Sequence, residues 1–171
     1  DLKREELTIL DKWILARLTE VVLTVNKSLE KYDATIASRV IEEFVVSDFS
    51  QWYLRRSRRR FQQPETRQEF EHAAGTTADV LETLARLIAP FAPFLADAVW
   101  QGLRKKTGGK EVSVHLCLWP ATKGKAGKES ALLRDMEEVR RLSTEALRLR
   151  AEVGIKVRQP LQKLKIKNLR L

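Results

Sequence analysis

Apolar residues recur along the first thirty positions at three- and four-residue spacing: Leu10, Trp13, Ile14, Leu18, Val21, Val25 and Leu29. That period lays a single apolar stripe on a helix, so residues 8–30 are predicted as a long amphipathic helix. Tyr32-Asp33-Ala34-Thr35 is a short connection, and Asp33 or Thr35 can accept the free N–H groups that open the next helix. The second helix carries Ile36, Ala37, Val40, Ile41, Phe44, Val45 and Phe49 and runs on into a dense basic block. Gln62-Gln63-Pro64 ends it, because proline lacks the amide donor and restricts the residue before it. A third helical region over 66–90 is expected to weaken at Gly75, with Thr76 and Asp79 as a capping box for a restart. Its apolar face is Val80, Leu81, Leu84, Ala85, Leu87 and Ile88. Pro90 and Pro93 bracket a bend, and a fourth helix follows through Leu95, Ala98, Val99 and Leu103, with Trp100 beside that stripe. Gly108-Gly109 stops it.

The period then changes to two. Val112, Val114, Leu116 and Leu118 alternate with Ser113, His115 and Cys117, which predicts a strand closed by Trp119-Pro120. Residues 121–128 are small and basic and read as a linker. A fifth helix is predicted over 129–153, with Leu132, Leu133, Met136, Val139, Leu142, Ala146, Leu147 and Val153 on its face and Gly154 placed for its C-terminal cap. Past it the chain turns extended, and Lys156, Arg158, Lys163, Lys165, Lys167 and Arg170 have no acidic counterweight. Helices with short connections favour an all-α, antiparallel bundle of about five helices, with short accessory extended segments. The expected division is a core over 1–120, a linker over 121–128, and a fifth helix with the start of an extended segment over 129–171. Asp1-Leu2-Lys3-Arg4 lacks an initiator methionine and Lys163 onward resembles a strand still in progress, so the sequence reads as a piece of a longer chain.

Charge changes this picture more than composition does. The chain carries a formal net charge of +9, which points to a polyanionic partner, nucleic acid or an anionic membrane. No run approaches the ~20 apolar residues of a membrane span, and there is no signal-peptide pattern. The single cysteine, Cys117, excludes an intramolecular disulfide and suits a reducing compartment.

The charge is densest in Trp52-Tyr53-Leu54-Arg55-Arg56-Ser57-Arg58-Arg59-Arg60-Phe61, where five arginines fill six positions. At about 100° per residue, Arg55 and Arg59 continue the sector of Ala37, Ile41, Phe44 and Trp52, and Asp48 lies in that sector too. Asp48, Trp52, Arg55 and Arg59 are therefore candidates for structural ion pairs or for docking another domain. Arg56 and Arg60 lie on one flank and Arg58 on the other, free to meet phosphate, which guanidinium binds in bidentate fashion. Lys156, Arg158, Lys163 and Lys165 complete the candidate RNA-binding set. A solvated face or an ion-pair network is the plain alternative for an arginine-rich helix.

Other chemistries are poorly supported. Trp13 lies on an apolar stripe and reads as core, and packing is also the better reading for Trp52, Trp100 and Trp119, although unpaired bases do stack on such rings. His115 and Cys117 fall on one face of the predicted strand, but two ligands do not make a zinc site and His72 is remote, so no metal is expected. Two histidines with no nucleophile elbow give no triad, and no glycine-rich phosphate loop is present.

Several segments resemble the helical anticodon-binding domain of class I aminoacyl-tRNA synthetases, in particular its isoleucine branch. They are Leu10-Asp11-Lys12-Trp13-Ile14-Leu15-Ala16-Arg17-Leu18; Ile41 through Phe61; Leu87-Ile88-Ala89-Pro90-Phe91-Ala92-Pro93-Phe94-Leu95-Ala96; and Arg150 through Leu161, with Ser113-Val114-His115-Leu116 before Trp119-Pro120. The Trp-Tyr with trailing arginines and the Lys156-Val157-Arg158-Gln159-Pro160-Leu161 segment resemble the isoleucine branch most. Gly75, where the family usually has a bulky residue, and Leu118, at a position more often polar, depart from the pattern.

The resemblance implies a cytoplasmic parent enzyme that activates isoleucine with ATP and magnesium, charges tRNA(Ile) and edits its product. It implies that the present piece, without cofactor, holds the anticodon stem and packs against the parent's catalytic domain. It further implies a monomer with no membrane contact. The rival readings are a helical protein-interaction module and a non-specific RNA-binding bundle.

Overall fold

The computed structural model describes residues 6–121, 130–163 and 165–166, with Lys106 and Thr107 given by their backbone alone. The fold is all-α, and the chain divides into two compact units, Asp1–Lys128 and Glu129–Leu171. The expected linker, apart from Ala121, and the end of the expected extended segment, including Lys167 and Arg170, lie outside the described residues.

In the first unit, α1 spans Ile9–Leu29. Thr8 opens it with a reciprocal capping box: its hydroxyl accepts from Asp11 N–H, and the Asp11 carboxylate accepts from Thr8 N–H. Trp13, Ile14, Leu18, Val21 and Val25 are buried, as the stripe predicts. Asp33 caps α2 (Ala34–Glu43) by accepting from Ile36 N–H at 2.9 Å.

The second rod does not stay α-helical. Phe44–Leu54 is a π-helical segment, and α3 (Arg55–Gln62) continues from it with helical dihedrals at both joints. Hydrogen bonds from i to i+5 widen the turn, and the aromatic rings record it. Phe44 stacks on Phe49, five residues on, with centroids 6.5 Å apart and planes 6° from parallel, and Phe49 stacks on Tyr53 at 6.0 Å.

Helix α4 (Arg67–Ile88) is capped by Thr66 and runs through Gly75 without interruption. The expected break there is corrected: Ala73, Thr76 and Val80 are all buried, so one packed face carries the helix across the glycine. Pro93 sits at the first turn of α5 (Pro93–Thr107), where its missing N–H costs nothing, and Gly108 ends that helix at φ +74°.

The predicted strand over 112–118 is also corrected. Val114–Leu116 is a single 3₁₀ turn, and no strand occurs among the described residues. Asp97 of α5 accepts from the Ser113 hydroxyl at 2.7 Å and from Val114 N–H at 3.0 Å, while Trp100 Nε1 donates to the Glu111 carbonyl at 3.0 Å. The segment therefore bonds to a helix, and only Val114 enters the core beside Ala85, Ala96 and Trp100. His115 is exposed and Cys117 half-buried, so the two do not share the strand face assigned to them.

In the second unit, α6 spans Ser130–Glu152. Gly154, at φ +70°, caps it in a Schellman arrangement, with Ile155 N–H on the Arg150 carbonyl and Gly154 N–H on the Ala151 carbonyl.

Candidate nucleic-acid interface

The arginine block stands on a helix whose rotation is fixed by buried charge. Asp11, fully buried in α1, meets Arg60 of α3 in a two-pronged pair: Nη1 to Oδ1 and Nη2 to Oδ2, both at 2.8 Å. The Tyr53 hydroxyl donates to the same carboxylate at 2.7 Å and the Thr8 hydroxyl at 2.6 Å. Burial alone would raise the Asp11 pKa, but donors from Arg60, Thr8 and Tyr53 outweigh it and hold the carboxyl below its ordinary value. Burial, then the Asp11 carboxylate, pushes the Tyr53 phenol up, so it remains a donor.

A second pair runs between the same two rods. Arg17 Nε donates to Asp48 Oδ2 at 3.0 Å, and Arg17 Nη1 reaches Glu20 at 2.5 Å. Burial would lower the Arg17 pKa, yet the two carboxylates raise it. The pairs have opposite polarity, α1 giving the acid in one and the base in the other, so together they define register as well as rotation.

One expectation changes here. Arg60, assigned to a flank facing phosphate, is buried and committed to Asp11. Asp48, a candidate for a structural ion pair or for docking, pairs with Arg17. The change at Arg60 follows from the π segment. In an unbroken α-helix Arg59, eighteen residues after Ile41, would return to the same sector after about five turns. The wide turns absorb one residue, so the inward positions become Tyr53, Ser57 and Arg60.

The other four arginines face outward. The Arg56 guanidinium lies over the half-buried Trp52 ring, 3.1 Å from its centroid, and Nη1 donates to the Trp52 carbonyl at 3.4 Å. Arg59 pairs with the exposed Glu65. Arg55, expected to pair or dock, and Arg58 have no side-chain hydrogen bond or ion pair among the described residues. The second unit also presents cations: Lys156, Arg158, Lys163 and Lys165 are all exposed.

Asp11, Arg17 and Tyr53 were missed as determinants of this surface. A signal existed for Asp11, which lies at the start of the series 11, 14, 18, 21, 25 that forms the buried stripe. A carboxylate on such a stripe calls for a buried cation. Among the described residues no group of three or more His, Cys, Asp or Glu side chains is placed to hold a metal. No described helix is long and apolar enough to cross a membrane.

The all-α scaffold carries an outward cationic face, and comparison with known proteins gives its class. The chain belongs to the family described as the anticodon-binding domain of tRNA ligase, which matches residues 11–166. Within that class its relatives include isoleucine–tRNA ligases. That of Thermus thermophilus is 41% identical over 160 residues, covering 93% of this chain and 15% of the relative. The Thermobifida fusca protein is 41% identical over 153 residues (90% and 14%), and that of Porphyromonas gingivalis 38% over 164 (96% and 14%). The chain thus spans about one seventh of the length of these curated relatives.

Proposed function

We propose that this chain is the domain of an isoleucine–tRNA ligase that grips the anticodon stem of tRNA(Ile), and that it carries no aminoacylation chemistry itself. Isoleucine activation with ATP and magnesium, transfer and editing fall to other parts of a cytoplasmic, monomeric parent, whose catalytic domain packs against this one. The observation that carries this reading is the outward face of Arg55, Arg56, Arg58 and Arg59 on a helix locked by one buried and one half-buried ion pair, in a chain of the anticodon-binding family. Guanidinium groups held in place on a rigid helix suit phosphates spaced along a folded RNA. Arg55 and Arg58 lack counter-charges among the described residues and are the first candidates for that contact, while Arg56 on Trp52, together with Arg59, suits docking to the catalytic domain.

Competition binding tests the assignment. Labelled tRNA(Ile) should be displaced by unlabelled cognate tRNA at far lower concentration than by bulk tRNA. An Arg55→Ala/Arg58→Ala variant should lose affinity and flatten log K against log [KCl] by about two units, roughly one per phosphate contact. Equal displacement by both competitors would instead favour a non-specific RNA-binding bundle.

A further inference from the structure

Beyond α6 the chain makes a small basic turn. Gln159 N–H donates to the Lys156 carbonyl at 2.9 Å, closing a four-residue turn with Val157 and Arg158 at its centre. Arg150, in the last turn of α6, reaches under it. Its Nη2 faces three carbonyl oxygens: Lys156 at 2.5 Å, Val157 at 3.2 Å and Gln159 at 2.5 Å.

That contact fixes more than the carbonyls. No described peptide bond is cis, and in a planar trans peptide the N–H points opposite to the C=O. Drawing the Lys156 and Val157 carbonyls toward Arg150 therefore turns the N–H groups of Val157 and Arg158 away from it. Neither N–H has a hydrogen-bond acceptor among the described residues. The Gln159 carbonyl is followed by Pro160, which has no N–H to present. Lys156 and Arg158 are exposed and make no side-chain pair among the described residues. Two adjacent outward N–H groups of a turn, beside two exposed cations, offer donors to an anion.

We propose that the N–H groups of Val157 and Arg158, with the Lys156 and Arg158 side chains, bind one phosphate of the RNA backbone, and that Arg150 is the positioning residue that builds this site. The proposal rests on the tRNA-binding reading above and adds a specific ligand group to it. Arg150 spends its donors on carbonyls and does not itself touch the phosphate.

The test uses the whole 171-residue chain, fluorescence anisotropy with labelled tRNA(Ile) over a KCl series, and amide NMR with inorganic phosphate. Lys156→Ala/Arg158→Ala should weaken binding about tenfold and lower the salt slope by roughly one to two units. Val157→Pro keeps every charge and occupies a turn position that favours proline, while deleting one outward donor. It should weaken binding roughly threefold to tenfold, the net worth of a typical hydrogen bond, with the slope unchanged. Arg150→Met should weaken binding as much as the double alanine variant and add nothing when combined with it. Arg150→Lys, whose ammonium offers donors to the same carbonyls, should restore most of the loss. Inorganic phosphate should move the Val157 and Arg158 amide signals in the parent sequence and not in Arg150→Met.

If tRNA binds but Val157→Pro and Arg150→Met leave it unchanged, the proposal is overturned. Additive losses from Arg150→Met and the double variant would also overturn it, by making Arg150 a direct ligand. A chain that shows the phosphate-induced amide shifts yet fails to bind tRNA would keep the anion site and remove the tRNA reading. One that shows neither response removes both.

Discussion

Asp11 accepts five hydrogen bonds, two from Thr8, one from Tyr53 and two from Arg60. A buried guanidinium deprived of its carboxylate is far costlier than the pair was favourable, because the charge has already left water. Asp11→Asn preserves shape and removes only the charge, so it should lower unfolding free energy by about 3–5 kcal/mol in urea titrations. Adding Arg60→Met should recover part of that loss, since the uncompensated charge goes with it. The same carboxylate sets a pH dependence. Its folded pKa lies below the ordinary value of about 3.8, so it contributes stability above that value and loses it as pH falls through the lower, folded pKa. Stability measured from pH 5 downward should therefore fall more steeply in the parent sequence than in Asp11→Asn. Parallel curves would mean that the carboxylate is not held in its charged form by Arg60.

The π segment is a one-residue phase shift written into the second rod. Deleting Gln51, an exposed residue within it, should let the rod close into an unbroken α-helix that still turns Tyr53, Ser57 and Arg60 inward. Inserting one alanine between Ser50 and Gln51 should rotate the arginine block by about a further 100°, expel Arg60 and strand Asp11. Urea titration should show the insertion destabilised about as much as Asp11→Asn and the deletion much less so. Equal losses from both would show that the phase does not govern the pairing. This phase shift also marks where the sequence stops being legible. Trp13 and the α1 stripe could be read directly, because a regular 3.6-residue period maps position onto face. Asp33 and Gly154 lie at or beside helix ends, where capping chemistry is local. Arg60 could not be placed, because a wide turn changes the angle for every residue after it. The segment Val112–Leu118 alternates like a strand, yet the groups that satisfy it include Asp97 and Gln101, more than ten residues earlier. Alternation predicts a strand only where another strand is available to pair with it.

At the scale of the whole molecule, a net charge of +9 is divided between two units that present cations in different ways. In the first, Arg55 and Arg58 project from a helix clamped by the buried Asp11–Arg60 pair. In the second, Lys156 and Arg158 belong to a turn held by Arg150. If both surfaces grip one tRNA at the same time, each releases its own condensed counterions, and log K depends linearly on log [salt] with a slope proportional to the phosphates neutralised. Combining Arg55→Ala/Arg58→Ala with Lys156→Ala/Arg158→Ala should then lower the slope by the sum of the two separate decreases, roughly three to four units. The loss in log affinity should add as well, since sites on separate units with no shared partners behave independently. A different result follows if the two surfaces hold tRNA in alternative poses. Removing one would then leave the other pose to carry binding, and each double variant would look mild while the quadruple variant collapsed. A single salt titration across the four proteins separates these outcomes, and only the additive one is compatible with both units closing on the same RNA.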